Sequence, residues 1–400
     1  MNAEIGIDNM CKSITNKPIR WYSTDTLIAK DGKAISVDPN RFHWGLQVHA
    51  VDNPTVGRAV AEALLRELNP EVVTLVLNPL HYDSSGKRTY YTESADTLKR
   101  GLEEVTERLL VTLGTDSLSE NGNSLLYSRK TVSAVVNYWD CVSRPWPLNN
   151  GKTPVVNSPY ASWYYMAKSD VYRKISKICK TLGLPTESYI PNWTTAGSLA
   201  EIVDIVGRNK TKEEVTLIKD DSGRGGTAVP VYYPKDVERQ LKMYNRLRDG
   251  ILTTKQGHPV DHVLLEVGVK RKGIERDCEL TGKKGKLKTK ALLPIELVPL
   301  MVEGEDGVYK VASLGYRIGP KPVEVLNTQY TPSLLSTNNI TAWNANQRGM
   351  DVGVLTEERR IKWGITNVEV QEAIISAKLM GLATCLVVKE IEDNVRHRSN

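Results

Sequence analysis

The sequence VTLIKDDSGRGGTAV, residues 215–229, is the stretch from which we interpret the rest of the chain. A short apolar run ends in Lys219, a loop with three glycines in four positions follows, and a second apolar run begins at Ala228. This pattern predicts a strand, a glycine-rich turn and a second strand. Backbone amides in such a loop can contact phosphate oxygens, and Lys219 adds positive charge beside them. The alternative is an ordinary glycine-rich hairpin with a surface lysine, which fits the same sequence. It stays open because short motifs often match by chance.

Length and composition favour an intracellular protein of several domains. A chain of 400 residues exceeds one compact core, so we expect two or three domains. The net charge of +6 favours anionic partners, and polyphosphate, an anionic substrate and RNA all stay open. Five cysteines without a C-x-x-C pair indicate neither a zinc site nor a disulfide framework. Without an apolar run of signal or membrane type, we expect a cytoplasmic protein with no membrane partner and of unknown oligomeric state.

Hydrophobic periodicity predicts an α/β domain before the opening stretch. Residues 1–50 show β-like runs and no clear helix. Helices are expected near 56–68, 98–109 and 132–136, with Ser94 as a possible cap of the second, and a buried strand over 72–77. A proline-rich segment over 144–159 is typical of an inter-domain connection.

The remaining elements lie on both sides of the opening stretch. Lys168 precedes a helix over 171–182, for which Ser169 is the expected N-cap and Gly183 the expected end. Residues 323–348 are rich in Asn and Thr and predict a loop. Further helices are expected at 199–206, 234–248 and 370–377, and strands at 263–269, 292–302, 309–317 and 383–388.

Three features then occur in a distinctive order: Lys168 ahead of a helix, Lys219 before the glycine-rich loop, and Glu266 in an apolar strand. This order resembles the ATP-grasp superfamily, clearly over about 153–269 and weakly beyond. In that family one lysine precedes a helix that ends in a Gly-x-Pro turn, here Gly183-Leu184-Pro185. The resemblance implies an α/β (α+β) fold with an N-terminal α/β pre-grasp domain and two α+β ATP-grasp subdomains. Their expected bounds are 1–150, 151–260 and 261–400.

The resemblance also implies which residues bind ATP. Lys168 and Lys219 would contact phosphate oxygens, for which a compact ammonium group is well suited. The strand with Glu266 would supply the hinge that contacts adenine. A solvated lysine, an ordinary turn and an outward-facing strand acid are the alternatives. The residues of the flap that would cover the phosphates are Ser222, Gly223, Gly225, Gly226 and Thr227.

Ligands for Mg²⁺ are implied near the C-terminus. The family uses acids and an asparagine, commonly as Glu-x-Asn, and hard cations prefer such oxygen ligands. Glu392, Asp393 and Asn394 have that form, and Glu390 lies just before them. The preceding expected strand carries no acid, so a polar C-terminal tail is the alternative. A nucleotide-binding protein without turnover therefore stays open.

Arg276 and Arg317 are candidate catalytic groups from their positions in or after expected strands. A guanidinium that faces the site can bind an acyl-phosphate or a carboxylate through two hydrogen bonds. A solvated sheet face is the alternative for both. Alternating lysines predict an exposed basic hairpin nearby, formed by Lys283, Lys284, Lys286, Lys288 and Lys290.

The implied function is an ATP-dependent carboxylate–amine ligase that uses ATP and Mg²⁺. Its partners would be small-molecule or peptide carboxylate and amine substrates, joined through an acyl-phosphate. The positive charge, the basic segment 270–290 and the many Trp and Tyr residues leave a nucleic-acid-binding or viral replication protein as the alternative. Binding that weakens steeply with salt would identify it. No H-x-x-x-H, G-x-S-x-G or Walker-type motif supports another chemistry.

Overall fold

Helices and strands are mixed along the whole chain, which gives the computed structural model an α+β architecture and confirms the predicted class. The structure describes these residues: 2–40, 46–50, 53–66, 72–77, 90–107, 109–113, 118–121, 124–138, 153–161, 166–212, 214–221, 228–254, 257–282, 285–319, 324–325 and 351–399.

The α-helices within these residues are α1 (Asn2–Lys12), α2 (Leu46–Ala50), α3 (Val56–Leu65), α4 (Tyr90–Val105), α5 (Lys168–Leu182), α6 (Leu199–Thr211), α7 (Val237–Met243), α8 (Glu357–Lys362) and α9 (Asn367–Ser399). The strands are β1 (Trp21–Ile28), β2 (Ala34–Asn40), β3 (Val72–Leu77), β4 (Leu110–Leu113), β5 (Leu118–Asn121), β6 (Ser124–Tyr127), β7 (Lys130–Thr131), β8 (Ala134–Tyr138), β9 (Val155–Val156), β10 (Trp193–Ala196), β11 (Thr216–Lys219), β12 (Val229–Val231), β13 (Leu247–Arg248), β14 (Ile251–Leu252), β15 (Val263–Val267), β16 (Gly273–Gly282), β17 (Gly285–Glu303), β18 (Tyr309–Ile318), β19 (Glu324–Val325) and β20 (Asp351–Val354).

The large sheet is antiparallel and joins strands from the two ends of the chain. Its strands lie in the order β2-β1-β17-β18-β20, and β16 and β19 also pair with β17. Strand β1 therefore lies between β2 and a strand from the last third of the chain. The domain bounds at 150 and 260 stay predictions, and the pairing of β1 with β17 crosses both of them.

Helix α9 covers one face of the large sheet. The Tyr22 hydroxyl donates a hydrogen bond to the carbonyl of Ala377 at 3.1 Å, and its ring meets Tyr309 edge to face. A Cβ atom on Gly381 would lie 2.0 Å from the Tyr22 ring, so this close approach requires glycine. Because side chains alternate along a strand, the neighbours of Tyr22 in β1 point to the other face.

A smaller parallel sheet lies over one end of that other face. Its strands lie in the order β4-β3-β8-β9. Helices α3 and α4 pack between it and the large sheet, where Val60, Leu64 and Leu98 form one core with Trp21 and Leu300. The rest of this face carries the charged residues described below.

The opening stretch belongs to a third sheet, with the strand order β10-β15-β11-β12. Strands β11 and β12 pair antiparallel, with Thr216 opposite Val231, which confirms the two predicted strands. Helices α6 and α7 cover one face through Ile202, Val206 and Leu241. Residues 222–227, for which the sequence predicts the turn, lie outside the described residues.

Most other predicted elements are confirmed, with shifts at their ends. Helix α5 ends at Gly183, which has the left-handed φ of 66°. Helix α6 is longer than predicted and α7 shorter. Apart from 324–325, the predicted loop 323–348 lies outside the described residues. Among the described helices, none is long and apolar enough to cross a membrane.

Several predictions about secondary structure are wrong. Residues 2–12 form a helix, and Ser94 lies within α4 rather than at its start. Residues 134–138 are strand β8, because the valines there pair in parallel with β3. Residues 383–388 lie within α9 and are almost entirely buried. A short apolar run does not distinguish a buried strand from a buried helix, which explains the last error.

Candidate functional site

Lys219 and Glu266 form an ion pair between the neighbouring strands β11 and β15. Lys219 Nζ lies 2.5 Å from Glu266 Oε2. Glu266 is only 1% exposed, so its carboxylate is shielded from water on all sides. The other oxygen, Oε1, lies 3.1 Å from the hydroxyl of Tyr172 on α5. Glu266 therefore connects Lys219 to α5.

Helix α5 directs Lys168 and Tyr172 to the same side, since residues four apart share a helix face. Lys168 Nζ lies 3.3 Å from Asp38 Oδ2, and the Tyr172 hydroxyl lies 2.9 Å from the carbonyl oxygen of Val37. Burial raises the pKa of Tyr172 well above its ordinary value, and the charge of Glu266 raises it further. Through these contacts the two predicted lysines lie on linked elements beside strand β2.

A row of charged side chains continues from Asp38 across the large sheet. Asp38 and Asp25 are directly opposite each other on β2 and β1, and Glu296 and Arg317 are opposite on β17 and β18. Arg317 forms an ion pair with Asp25, and its Nε lies 3.5 Å from Glu296 Oε2. We call these four residues the polar row. It places a buried guanidinium between two carboxylates, on the face opposite α9.

Burial dominates the electrostatics of the polar row. It raises the pKa of Glu296, although the positive charges of Arg317 and Arg271 partly lower it. Arg271 Nη1 lies 3.2 Å from Glu296 Oε1, and burial lowers the pKa of this guanidinium too. Charges in such surroundings interact strongly because water does not screen them. The row is therefore held together by mutual neutralisation.

His49 on α2 is completely buried beside this row. Neither ring nitrogen has a hydrogen-bond partner among the residues that the structure describes. Burial, and secondarily the positive charge of Arg317, lower the pKa of His49 from 6.5 to about 3. The imidazole is therefore neutral in the folded protein at neutral pH.

This low pKa predicts a loss of stability in acid. Below pH 6.5 the unfolded chain binds a proton at His49 and the folded chain does not, so stability falls as pH falls towards 3. Between about pH 7 and about pH 5, His49 should contribute a loss of about 2 kcal/mol. Urea denaturation at both pH values should show a smaller loss for His49→Leu, and an unchanged loss for the exposed control His258→Gln. An equal loss in His49→Leu and wild type would contradict the prediction.

Asp38 leaves one carboxylate oxygen available for a cation. Its Oδ1 makes no hydrogen bond within the described part of the chain, whereas Glu296 Oε2 lies 3.5 Å from Arg317 Nε. In that part no three acidic, His or Cys side chains form a metal cluster. Mg²⁺ does not require one, because it commonly takes one or two carboxylates together with substrate phosphates and water. The opposed pair of Asp25 and Asp38 fits that requirement.

The predicted magnesium ligands lie elsewhere. Glu390, Glu392 and Asn394 belong to helix α9. Residues two apart on a helix point in nearly opposite directions. Glu390 forms an ion pair with Lys174, and Glu392 accepts a hydrogen bond from Ser158 Oγ at 2.5 Å. Their role as magnesium ligands stays a prediction.

The structure does not bring Arg276 and Arg317 together. Arg276 pairs with Asp351 at 2.8 Å and lies over the ring of Trp363. Its strand partner is Ala291, five residues before Glu296, so Arg276 and Glu296 point to opposite faces. Arg276 instead lines a cleft of about 480 Å³ on the side of α8. A catalytic role for it stays a prediction.

Other predicted residues lie outside the described part of the chain. These are the flap residues Ser222, Gly223, Gly225, Gly226 and Thr227, and the hairpin residues Lys283 and Lys284. The backbone pairing of β16 with β17 does confirm the hairpin.

Sequence reasoning missed several residues of this site. Asp25, Asp38 and Tyr172 gave no motif, because they converge only after β1, β2 and α5 have packed. Glu296 could have been found, since it lies between Ile295 and Leu297 as Glu266 lies between Leu265 and Val267. An acid within an apolar strand was the same signal in both places.

The structure of a known protein supports this fold. No protein-family model matches the sequence, and no curated protein matches it. A candidate gamma-glutamylcysteine synthetase from Methylobacillus flagellatus KT has a similar structure, with a TM-score of 0.63 and 16% identity over 97% of this chain and 93% of that chain. A glutathione synthetase-like effector from Globodera pallida gives a TM-score of 0.46 and 13% identity, over 78% of this chain and 77% of that chain. The D-alanyl-alanine synthetase A of Vibrio cholerae gives a TM-score of 0.35 and 13% identity, over 56% of this chain and 66% of that chain. From the first likeness, which spans nearly all of both chains, we conclude that this chain has the fold of that protein.

Proposed function

We propose that the chain is an ATP-dependent ligase of the ATP-grasp type that joins a carboxylate to an amine. The observation that carries this proposal is the placement of Lys168 and Lys219 on linked elements, beside the polar row. The order of these lysines along the chain resembles the superfamily. The shared fold with a candidate gamma-glutamylcysteine synthetase agrees with a ligase of this class.

The two lysines are suited to bind a triphosphate. Each is paired with a carboxylate, Lys168 with Asp38 and Lys219 with Glu266. A phosphate offers the same oxygen acceptors and more negative charge, so it can compete for these ammonium groups. Both lysines are largely shielded from water, which strengthens the attraction.

Asp25 and Asp38 are the residues that would hold Mg²⁺ against the phosphates. They are neighbours on opposed strands, and Asp38 also reaches Lys168. A magnesium ion in this place supplies positive charge that neutralises the phosphate oxygens during transfer. Arg317 holds Asp25 in place and neutralises Glu296, so the row keeps its geometry without the metal.

The reaction implied by the resemblance has two displacements. A substrate carboxylate oxygen attacks the terminal phosphorus and ADP leaves; an amine then attacks the acyl carbon and phosphate leaves. Within this scheme the protein positions the reactants and stabilises charge. Lys168 and Lys219 would hold phosphate oxygens, and Asp25 and Asp38 would hold the cation.

Asp38→Asn should separate the effects of charge and metal. Without magnesium, the variant should bind ADP about two- to fivefold more tightly than wild type, because a carboxylate no longer competes for Lys168. Magnesium should increase the affinity of the variant for ADP about tenfold less than it increases that of wild type, because one ligand of the metal is lost. Calorimetric titrations with and without EDTA measure both quantities. Asp31→Asn, in an exposed turn, is the control, and an identical magnesium dependence in Asp38→Asn and wild type would remove Asp38 from the metal site.

Turnover distinguishes a ligase from a nucleotide-binding protein without activity. Purified protein should release phosphate from Mg-ATP only when both a carboxylate and an amine substrate are present. A panel of amino acids and short peptides tests the acid and amine in pairs, with Lys219→Met as the inactive control. Tight Mg-ATP binding without phosphate release from any pair would favour the inactive alternative.

A further inference from the structure

Asp221 joins the two elements that carry the proposed phosphate-binding lysines. It lies two residues after Lys219, at the end of β11. Its backbone carbonyl accepts a hydrogen bond from the amide of Lys168 at 2.9 Å. Its carboxylate accepts two more from Ser169, from the amide at 2.8 Å and from the hydroxyl at 2.5 Å. Because Asp221 is buried, these bonds do not compete with water.

Helix α5 depends on Asp221 at its first turn. The N-cap residue is Ala167, which has no side-chain acceptor, and the expected cap Ser169 lies inside the helix. The unpaired amides and the dipole at a helix N-terminus favour an anion and oppose the cation of Lys168. Asp170 carries a half-exposed charge in the first turn, and Asp221 supplies a buried anion from another element of the fold. The position of Lys168 therefore depends on a residue of the strand that carries Lys219.

Neighbouring groups show that this connection is specific to Asp221. Asp220 points elsewhere and forms a buried ion pair with Arg246. His262, just before β15, places Nε2 2.8 Å from Asp221 Oδ2. Asp221, which follows β11, thus contacts both α5 and His262, the residue just before β15.

We propose that Asp221 is a positioning residue that fixes Lys168 relative to Lys219 and so sets the affinity for the triphosphate. This inference rests on the proposed function. It assigns to Asp221 no contact with the nucleotide, only the placement of a lysine that makes one.

A double-mutant cycle on Asp221 and Lys168 tests the proposal. The variants are Asp221→Asn, Lys168→Ala, both together, and the control Asp204→Asn, which removes an exposed acid on α6 that pairs with Arg208. Calorimetry with Mg-ATP should show about a tenfold loss of affinity for Asp221→Asn and less than about a twofold change for the control. In the Lys168→Ala background, Asp221→Asn should cause no further loss, because its effect acts through Lys168.

Three outcomes would overturn the proposal in different ways. A full further loss in the Lys168→Ala background would show that Asp221 only supports the fold. Unchanged affinity in Asp221→Asn would remove its role and leave the proposed function intact. A wild-type protein that does not bind Mg-ATP would overturn both. If Asp221→Asn does not fold, Ser169→Ala removes one of the same hydrogen bonds, and the same cycle should show about a threefold loss that disappears without Lys168.

Discussion

Replacing Arg317 with methionine should lower the free energy of unfolding by about 3–5 kcal/mol. Arg317 is 1% exposed and lies between the carboxylates of Asp25 and Glu296. Methionine fills much of the same space but leaves Asp25 without this positive partner. Glu296 keeps its ion pair with Arg271 but loses the one with Arg317. Breaking a buried pair from one side is costly because the remaining charge stays in surroundings that solvate it poorly.

Arg276→Met is the matched control for this experiment. Arg276 lies on the same sheet and also pairs with an aspartate, but the side chains of Arg276 and Asp351 are 36% and 40% exposed. Exposed ion pairs contribute little to stability, so this variant should lower the free energy of unfolding by less than about 1 kcal/mol. Urea denaturation at neutral pH measures both. Equal losses in the two variants would show that the polar row is not the buried network that the structure indicates.

Replacing Lys219 with methionine should weaken binding of Mg-ATP about a hundredfold. The lysine would lose charge-assisted hydrogen bonds to phosphate in a site that is shielded from water. The same change leaves Glu266 without its positive partner, so the variant should be measured together with Glu266→Gln, which removes that unpaired charge. The double variant should regain stability but not affinity for the nucleotide.

Lys212→Met is the control for Lys219, because Lys212 follows α6 and is exposed. Its removal lowers the net charge by the same amount and should leave affinity within about a factor of two. Full recovery of affinity in the Lys219→Met, Glu266→Gln protein would show that Lys219 only neutralises Glu266. Calorimetric titration of each protein with Mg-ATP gives the answer.

The sequence predicted the parts of the fold that depend on local pattern. The paired strands around the glycine-rich loop, helix α5 with its end at Gly183, and strands β3, β15 and β18 all follow from periodicity and turn residues. Strand β8 and the second half of α9 could not be predicted from these local patterns. Their short apolar runs suit either type of element, and only packing against β3 or the large sheet decides between them.

The candidate site was predictable only where a residue lies beside a recognisable pattern. Lys168, Lys219 and Glu266 are next to a helix start, a glycine-rich loop and an apolar strand. Asp25 and Asp38 meet because β1 and β2 pair with each other and β1 with β17, a contact between distant parts of the chain. The sequence instead pointed to Glu390, Glu392 and Asn394 as magnesium ligands, because they match a motif; they lie on helix α9, and that assignment stays a prediction.

Calorimetric titration of the purified wild-type protein with Mg-ATP tests the central claim most directly. The placement of Lys168 and Lys219 beside the polar row predicts saturable binding at one site per chain, weakened when magnesium is removed and about a hundredfold weaker in Lys219→Met. No detectable binding of Mg-ATP at millimolar concentration by folded wild-type protein would contradict the account.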